Sequence, residues 1–191
     1  MNDVLPTVLI VPGLRDHADA HWQTLLEREL VAQCRDVRTV PPMGRPDLDC
    51  ARRIVAIENA AMAVNGPLVL VAHSAGCVMV AHWARLTKRS VRGALLAAPP
   101  DFERPMPQGY PTLDELRSNL WLPVPRQRLP FHSIVAASRN DPLAAYGRVV
   151  ELANDWGSQL VDLGAVGHLN PSAGFGRWPE AALLVDELSY C

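Results

Sequence analysis

The stretch VLVAHSAGCVMV, Val69–Val80, decides how this chain reads. An apolar run ends in His73 and Ser74, and small residues follow at once in Ala75, Gly76 and Cys77. The run has the character of a buried strand, and Ala75–Leu86 behind it reads as a helix. Two polar side chains at such a point must be satisfied, exposed or used, because a buried polar group left unpaired costs about 1–3 kcal/mol. A serine at the tip of a sharp strand-to-helix turn has a strained backbone, tolerated only where the residues two before and two after are small. Ala72 and Gly76 meet that need, with Ala72 standing where the usual G-x-S-x-G pattern has its first glycine. The turn would also aim the amide of Ala75 out of a helix N-terminus, where donors lack partners and negative charge is favoured. A plainer reading makes Ser74 only a helix cap.

Outward from this stretch, short β-branched runs alternate with longer segments of helical period. TVLIVPG (Thr7–Gly13), DVRTVPPM, PLVLVAH, RGALLAAP, FHSIVAAS and SQLVDLG read as strands. Helices are expected over Ala20–Cys34, over Asp47–Val64 with Asp47 as N-cap, over Ala75–Leu86, over Pro142–Trp156 and over Pro179–Leu188. This alternation predicts one α/β domain over residues 1–191, a parallel sheet with helices on both faces. Asp101–Pro130 is the exception, proline-rich and without a clean period, and reads as a lid-like insertion.

A serine hydroxyl becomes nucleophilic when an imidazole takes its proton and a carboxylate holds that imidazole. In a parallel sheet these partners belong on loops at the carboxyl ends of later strands. Asp141 follows one strand directly before Pro142, and His168 follows the last strand in a glycine-punctuated loop. The chain order Ser74, Asp141, His168 is the one this architecture uses. Each has a structural alternative: Asp141 as a cap for a helix opened by Pro142, His168 as a surface histidine. Asp101 is the reserve acid. An oxyanion hole needs a second amide, and Leu14, after the turn at Gly13, is the natural donor beside Ala75. Arg15 or Asp16 would line the site or form a surface pair. His73 reads as a supporting group and Trp22 as core or pocket wall, while Tyr110, Leu113, Leu116, Leu120 and Trp121 read equally as walls of a modest acyl pocket or as plain core packing.

Composition removes several other classes. A net charge of −2 over 191 residues, with no basic stripe, gives no reason to expect nucleic acid or an anionic membrane as partner. The opening MNDVLPTVLIVPGL does not read as a signal peptide, and no run approaches the ~18 apolar residues of a membrane span. Cys34, Cys50, Cys77 and Cys191 have no short paired spacing, so reduced thiols in a cytoplasmic protein are expected. His17 and His21 stand four apart but lack a third ligand, so no metal site is expected.

The motifs VLIVPGL with a following HW, LVAHSAGC, SRNDP and GHLN resemble the small serine hydrolases of the YdeN and retinoblastoma-binding serine hydrolase type, within the α/β-hydrolase superfamily. The likeness runs through almost the whole chain. It implies a single-domain α/β-hydrolase fold with a six-stranded parallel sheet and a minimal lid. It also implies Ser74 as nucleophile, Asp141 as acid and His168 as base, acting on a small-molecule ester, thioester or activated amide without a cofactor. A binding or scaffold module, or an acyltransferase or peptidase with the same three residues, are the alternatives. The brief 101–130 insertion, with no long amphipathic helix, favours short soluble esters over lipid surfaces.

Overall fold

A computed structural model of the chain describes residues 5–14 and 18–190. The described strands are β1 (Thr7–Val11), β2 (Val37–Thr39), β3 (Leu68–His73), β4 (Val91–Ala97), β5 (His132–Ala137) and β6 (Gln159–Asp162). They form a six-stranded sheet in the order β2-β1-β3-β4-β5-β6. Every neighbouring pair is parallel. Parallel strands need crossovers, supplied by α1 (Trp22–Ala32), α2 (Cys50–Met62), α3 (Ala75–Ala84) and α5 (Tyr146–Trp156). A short α4 (Leu113–Ser118) lies between β4 and β5, and α6 (Pro179–Ser189) closes the chain.

The near-continuous apolar character of the central strands follows from burial on both faces. Successive side chains point to opposite sides of a strand. Leu68, Leu70 and Ala72 of β3 join Leu9 and Val11 of β1 in one core with α2, α3 and α5. Val69 and Val71 join Val8 and Ile10 in a second core, with Trp22, Leu26 and Leu30 of α1 and Val185 and Leu188 of α6. Each such Leu or Val contributes roughly 1.5–3 kcal/mol when fully buried. The edge strands β2 and β6 have no fully buried residue, as a strand paired on one side allows.

Several expected boundaries shift, each for a local reason. The N-cap of α2 is Asp49, not Asp47, and its carboxylate accepts from the Arg52 amide at 3.1 Å. Asp47 is held in the preceding loop, where its carbonyl accepts from the buried Arg53 guanidinium and its carboxylate accepts from the Asp49 amide. Helix α5 starts at Tyr146 rather than Pro142. Residues 142–145 instead form a turn, because the Asp141 carboxylate accepts from the Leu143 amide at 2.8 Å while the Leu143 carbonyl accepts from the Asp101 amide.

Segment 101–130 is less a lid than a part of the core. Phe102, Leu116, Trp121, Val124 and Leu129 are all buried in the layer of α2, α3 and α5. The segment also holds α4, opened by a Thr112/Glu115 capping box. No helix among the described residues is long and apolar enough to cross a membrane.

Candidate active site

Ser74 joins β3 to α3 with φ 56° and ψ −130°, a conformation most residues with a Cβ avoid. The surroundings hold it there. The Ser74 amide donates to the Ala97 carbonyl at 2.9 Å, and the Ser74 carbonyl accepts from Cys77 at 2.9 Å. A Cβ on Gly76 would come within 2.6 Å of the Val11 carbonyl oxygen and 2.8 Å of that of Pro12. Alanine therefore does not fit at position 76, where the backbones after β1 and β3 meet. Gly13 is nearly as confined, its hypothetical Cβ 3.1 Å from the Ser74 Cβ. At Ala72, fully buried, the missing glycine is accommodated by a methyl group.

The Ser74 side chain makes no capping bond to α3. Its hydroxyl lies 2.8 Å from His168 Nε2, and His168 Nδ1 lies 2.8 Å from Asp141 Oδ2. An ionised carboxylate can only accept, so His168 donates from Nδ1 to Asp141 and accepts the Ser74 proton at Nε2. The His168 and Asp141 side chains are 6% and 2% exposed, so water competes little for either bond. The line of three residues that the sequence proposed is thus assembled from three strand ends. Asp101 is occupied elsewhere, paired with Arg148 at 2.9 Å. Asp162 pairs on the surface with Arg139, whose hydrogen bond pulls its carboxyl down to about 2.

Ser74 opens into a cavity of about 390 Å³. Its lining comes from Gly13, Leu14, Ala18 and His21 after β1, Arg45 and Leu48 after β2, Ala75 of α3, Phe102, Met106, Tyr110 and Glu115 after β4, Leu143 after β5, and Asn170 and Ser172 after β6. All lie beyond the carboxyl ends of the strands, where open parallel sheets place ligands. Leu14 and Ala75 both line this cavity together with Ser74. Trp121 does not line the cavity. It is fully buried, edge-on to Phe102 at 5.4 Å, and its Nε1 donates to the Leu48 carbonyl at 2.7 Å. Of the other proposed wall residues Tyr110 lines this cavity, Leu116 is core and Leu120 is exposed.

Sequence reasoning missed Phe102, Leu48 and Arg45 as lining residues; no local pattern marks them. His21 caps α1 by accepting from the Gln23 amide, and Trp22 is core. Among the described residues no group of three or more His, Cys, Asp or Glu side chains could hold a metal ion. Arg15, Asp16 and His17 lie outside the described residues.

A sheet of this order and direction, with a strained serine between its third strand and the following helix, defines the α/β-hydrolase fold. The chain belongs to the serine hydrolase family, whose model matches residues 8–187. Among solved structures it is similar to a protein described as a YdeN-like hydrolase from Pectobacterium atrosepticum, at 28% identity and a TM-score of 0.81, covering 97% of this chain and 91% of that one. The ydeN gene product of B. subtilis matches at 17% identity and a TM-score of 0.77, covering 97% and 100% of the two chains. Est1E from Butyrivibrio proteoclasticus, solved with ferulic acid bound, matches at 13% identity and a TM-score of 0.70, covering 97% and 87%. No curated protein matches the sequence.

Proposed function

We propose that the protein hydrolyses a small carboxylic ester, thioester or activated amide through an acyl-enzyme on Ser74. The observation that carries this reading is the continuous hydrogen-bonded line Ser74–His168–Asp141, with the serine hydroxyl free of any capping role. As Ser74 Oγ bonds to the acyl carbon, its proton passes to His168 Nε2, and Asp141 stabilises the imidazolium that forms. The carbonyl oxygen takes up the negative charge and is met by the amides of Leu14 and Ala75, each such donor lowering the barrier by roughly 3 kcal/mol. Collapse of the adduct breaks the bond to the leaving group, which takes the proton from His168. Water, deprotonated by the same nitrogen, then releases the acid and restores Ser74.

The cavity of about 390 Å³ sits at the small end of the range for ligand sites, and its Leu14, Leu48, Phe102, Met106 and Leu143 walls suit an apolar acyl group of modest length. The test is a panel of soluble acyl esters of graded chain length, with a hydroxycinnamate ester included because Est1E holds ferulic acid. Short and aromatic esters should be turned over, and the Ser74→Ala variant should be inactive on all of them. Turnover that survives in Ser74→Ala, or a preference for long-chain emulsions, would overturn the proposal.

A further inference from the structure

His168 stands in the loop that follows β6, outside any strand itself. Its neighbours Gly167 and Leu169 both have left-handed backbones, with φ 64° and 49°. On one side the loop is tied to the residues just before Asp141: the Gly167 amide donates to Asn140 Oδ1 at 2.7 Å, and the Val166 amide donates to Ser138 Oγ at 3.2 Å. On the other side the anchor is His73, whose Nε2 lies 3.0 Å from the His168 carbonyl oxygen. A carbonyl only accepts, so His73 carries its proton on Nε2 and donates. The His73 ring is buried, 5.0 Å from the His168 ring, and packed edge-on against His21 and Trp22 at 4.8 and 6.1 Å.

We infer that His73 is a positioning residue for the reaction, pinning the main chain of the base to the strand that carries the nucleophile. This rests on the reading of Ser74 and His168 given above. His73 is the last residue of β3 and pairs in register with Ala97 of β4, while Ser74 follows it directly. The hydroxyl and the backbone of the imidazole that must meet it are therefore referred to one rigid strand. Asp141 fixes Nδ1 of the ring, and His73 holds the main-chain carbonyl of the residue from which the ring hangs. A misplacement of ~1 Å between reacting groups lowers a rate by about 100-fold.

Glutamine and methionine at position 73 have nearly the same shape and differ in whether the tip can donate. The experiment measures kcat and KM on a soluble ester, the second-order rate of labelling by a fluorophosphonate, and the melting temperature, for wild type, His73→Gln and His73→Met. Met should lower kcat and the labelling rate together by roughly 10–100-fold with KM within about twofold, and Gln should stay within about fivefold of wild type. A folded Met variant with wild-type kcat and labelling overturns the inference. So does a folded Gln variant impaired by more than about tenfold, which is decisive even where Met fails to fold. Absence of labelling in the wild-type protein would instead defeat the nucleophile assignment, and this inference with it.

Discussion

The turn at Ser74 and the segment 101–130 both border the cavity, and they are built on opposite principles. At the turn, main chain meets main chain: Gly76 leaves no room for a methyl group against the Val11 and Pro12 carbonyls, and Ser74 is held off its preferred conformation by backbone bonds to Ala97 and Cys77. Segment 101–130 is held instead by side chains reaching distant parts of the chain. Trp121 donates to Leu48, His82 meets the Trp121 carbonyl at 3.2 Å, and Arg126 and Arg148 both bind Glu103. The lesson is a division of labour. A backbone-defined turn holds the reacting hydroxyl in one place, whereas a wall of long-range side-chain contacts sets size and shape.

The comparison breaks most visibly at Asp141. The Asp141→Asn variant keeps an oxygen to accept from the Leu143 amide, so the turn and the melting temperature should persist. It replaces the acceptor facing His168 Nδ1 with a donor, which forces the wrong tautomer and should lower kcat by about 10⁴-fold. Steady-state kinetics beside a thermal melt decides it, and near-wild-type turnover would reduce Asp141 to a turn former.

A smaller effect, on stability rather than chemistry, is expected at the turn itself. Gly76→Ala should destabilise the fold by about 1–3 kcal/mol, because the three nearest atoms its Cβ meets all belong to backbone. Denaturant titration measures this directly. An unchanged midpoint would mean that the two chain segments separate easily, contrary to the rigidity ascribed to the turn.

The smallest effect is expected where segment 101–130 meets α3, and it depends on pH. Burial pushes the His82 imidazole below its ordinary value of 6.5, outweighing the hydrogen bond to the Trp121 carbonyl. The unfolded chain therefore takes up this proton at higher pH than the folded one, and the contribution to stability is complete above about pH 6.5 and lost as pH falls below it. Melting temperatures from pH 7.5 down to 5 should decline in the wild-type protein more than in His82→Gln. Parallel curves would show that burial does not depress the His82 imidazole.

The same contrast explains what could be read from the sequence. The turn was legible because its requirements are local: a buried run, a polar pair and small residues within five positions. Asp141 and His168 were found by strand-end position, although Asp141 is presented by its own bond to Leu143 rather than by a helix starting at Pro142. The walls were not legible. Trp121 reads in sequence equally as pocket wall or core, and its burial and its bond to Leu48, 73 positions away, decide for core. The partner of His73 is 95 positions away. Helix α4 buries only Leu116, too little to show a period, though the Thr112–Glu115 spacing was available as a signal.

The central claim is that Ser74 is the residue that becomes covalently attached to the acyl group. Intact-mass measurement after treatment with a fluorophosphonate tests it most directly. The protein should gain the mass of one adduct, located by peptide mapping at Ser74 and absent from Ser74→Ala. An unmodified wild-type protein, or an adduct that persists in Ser74→Ala, would contradict it.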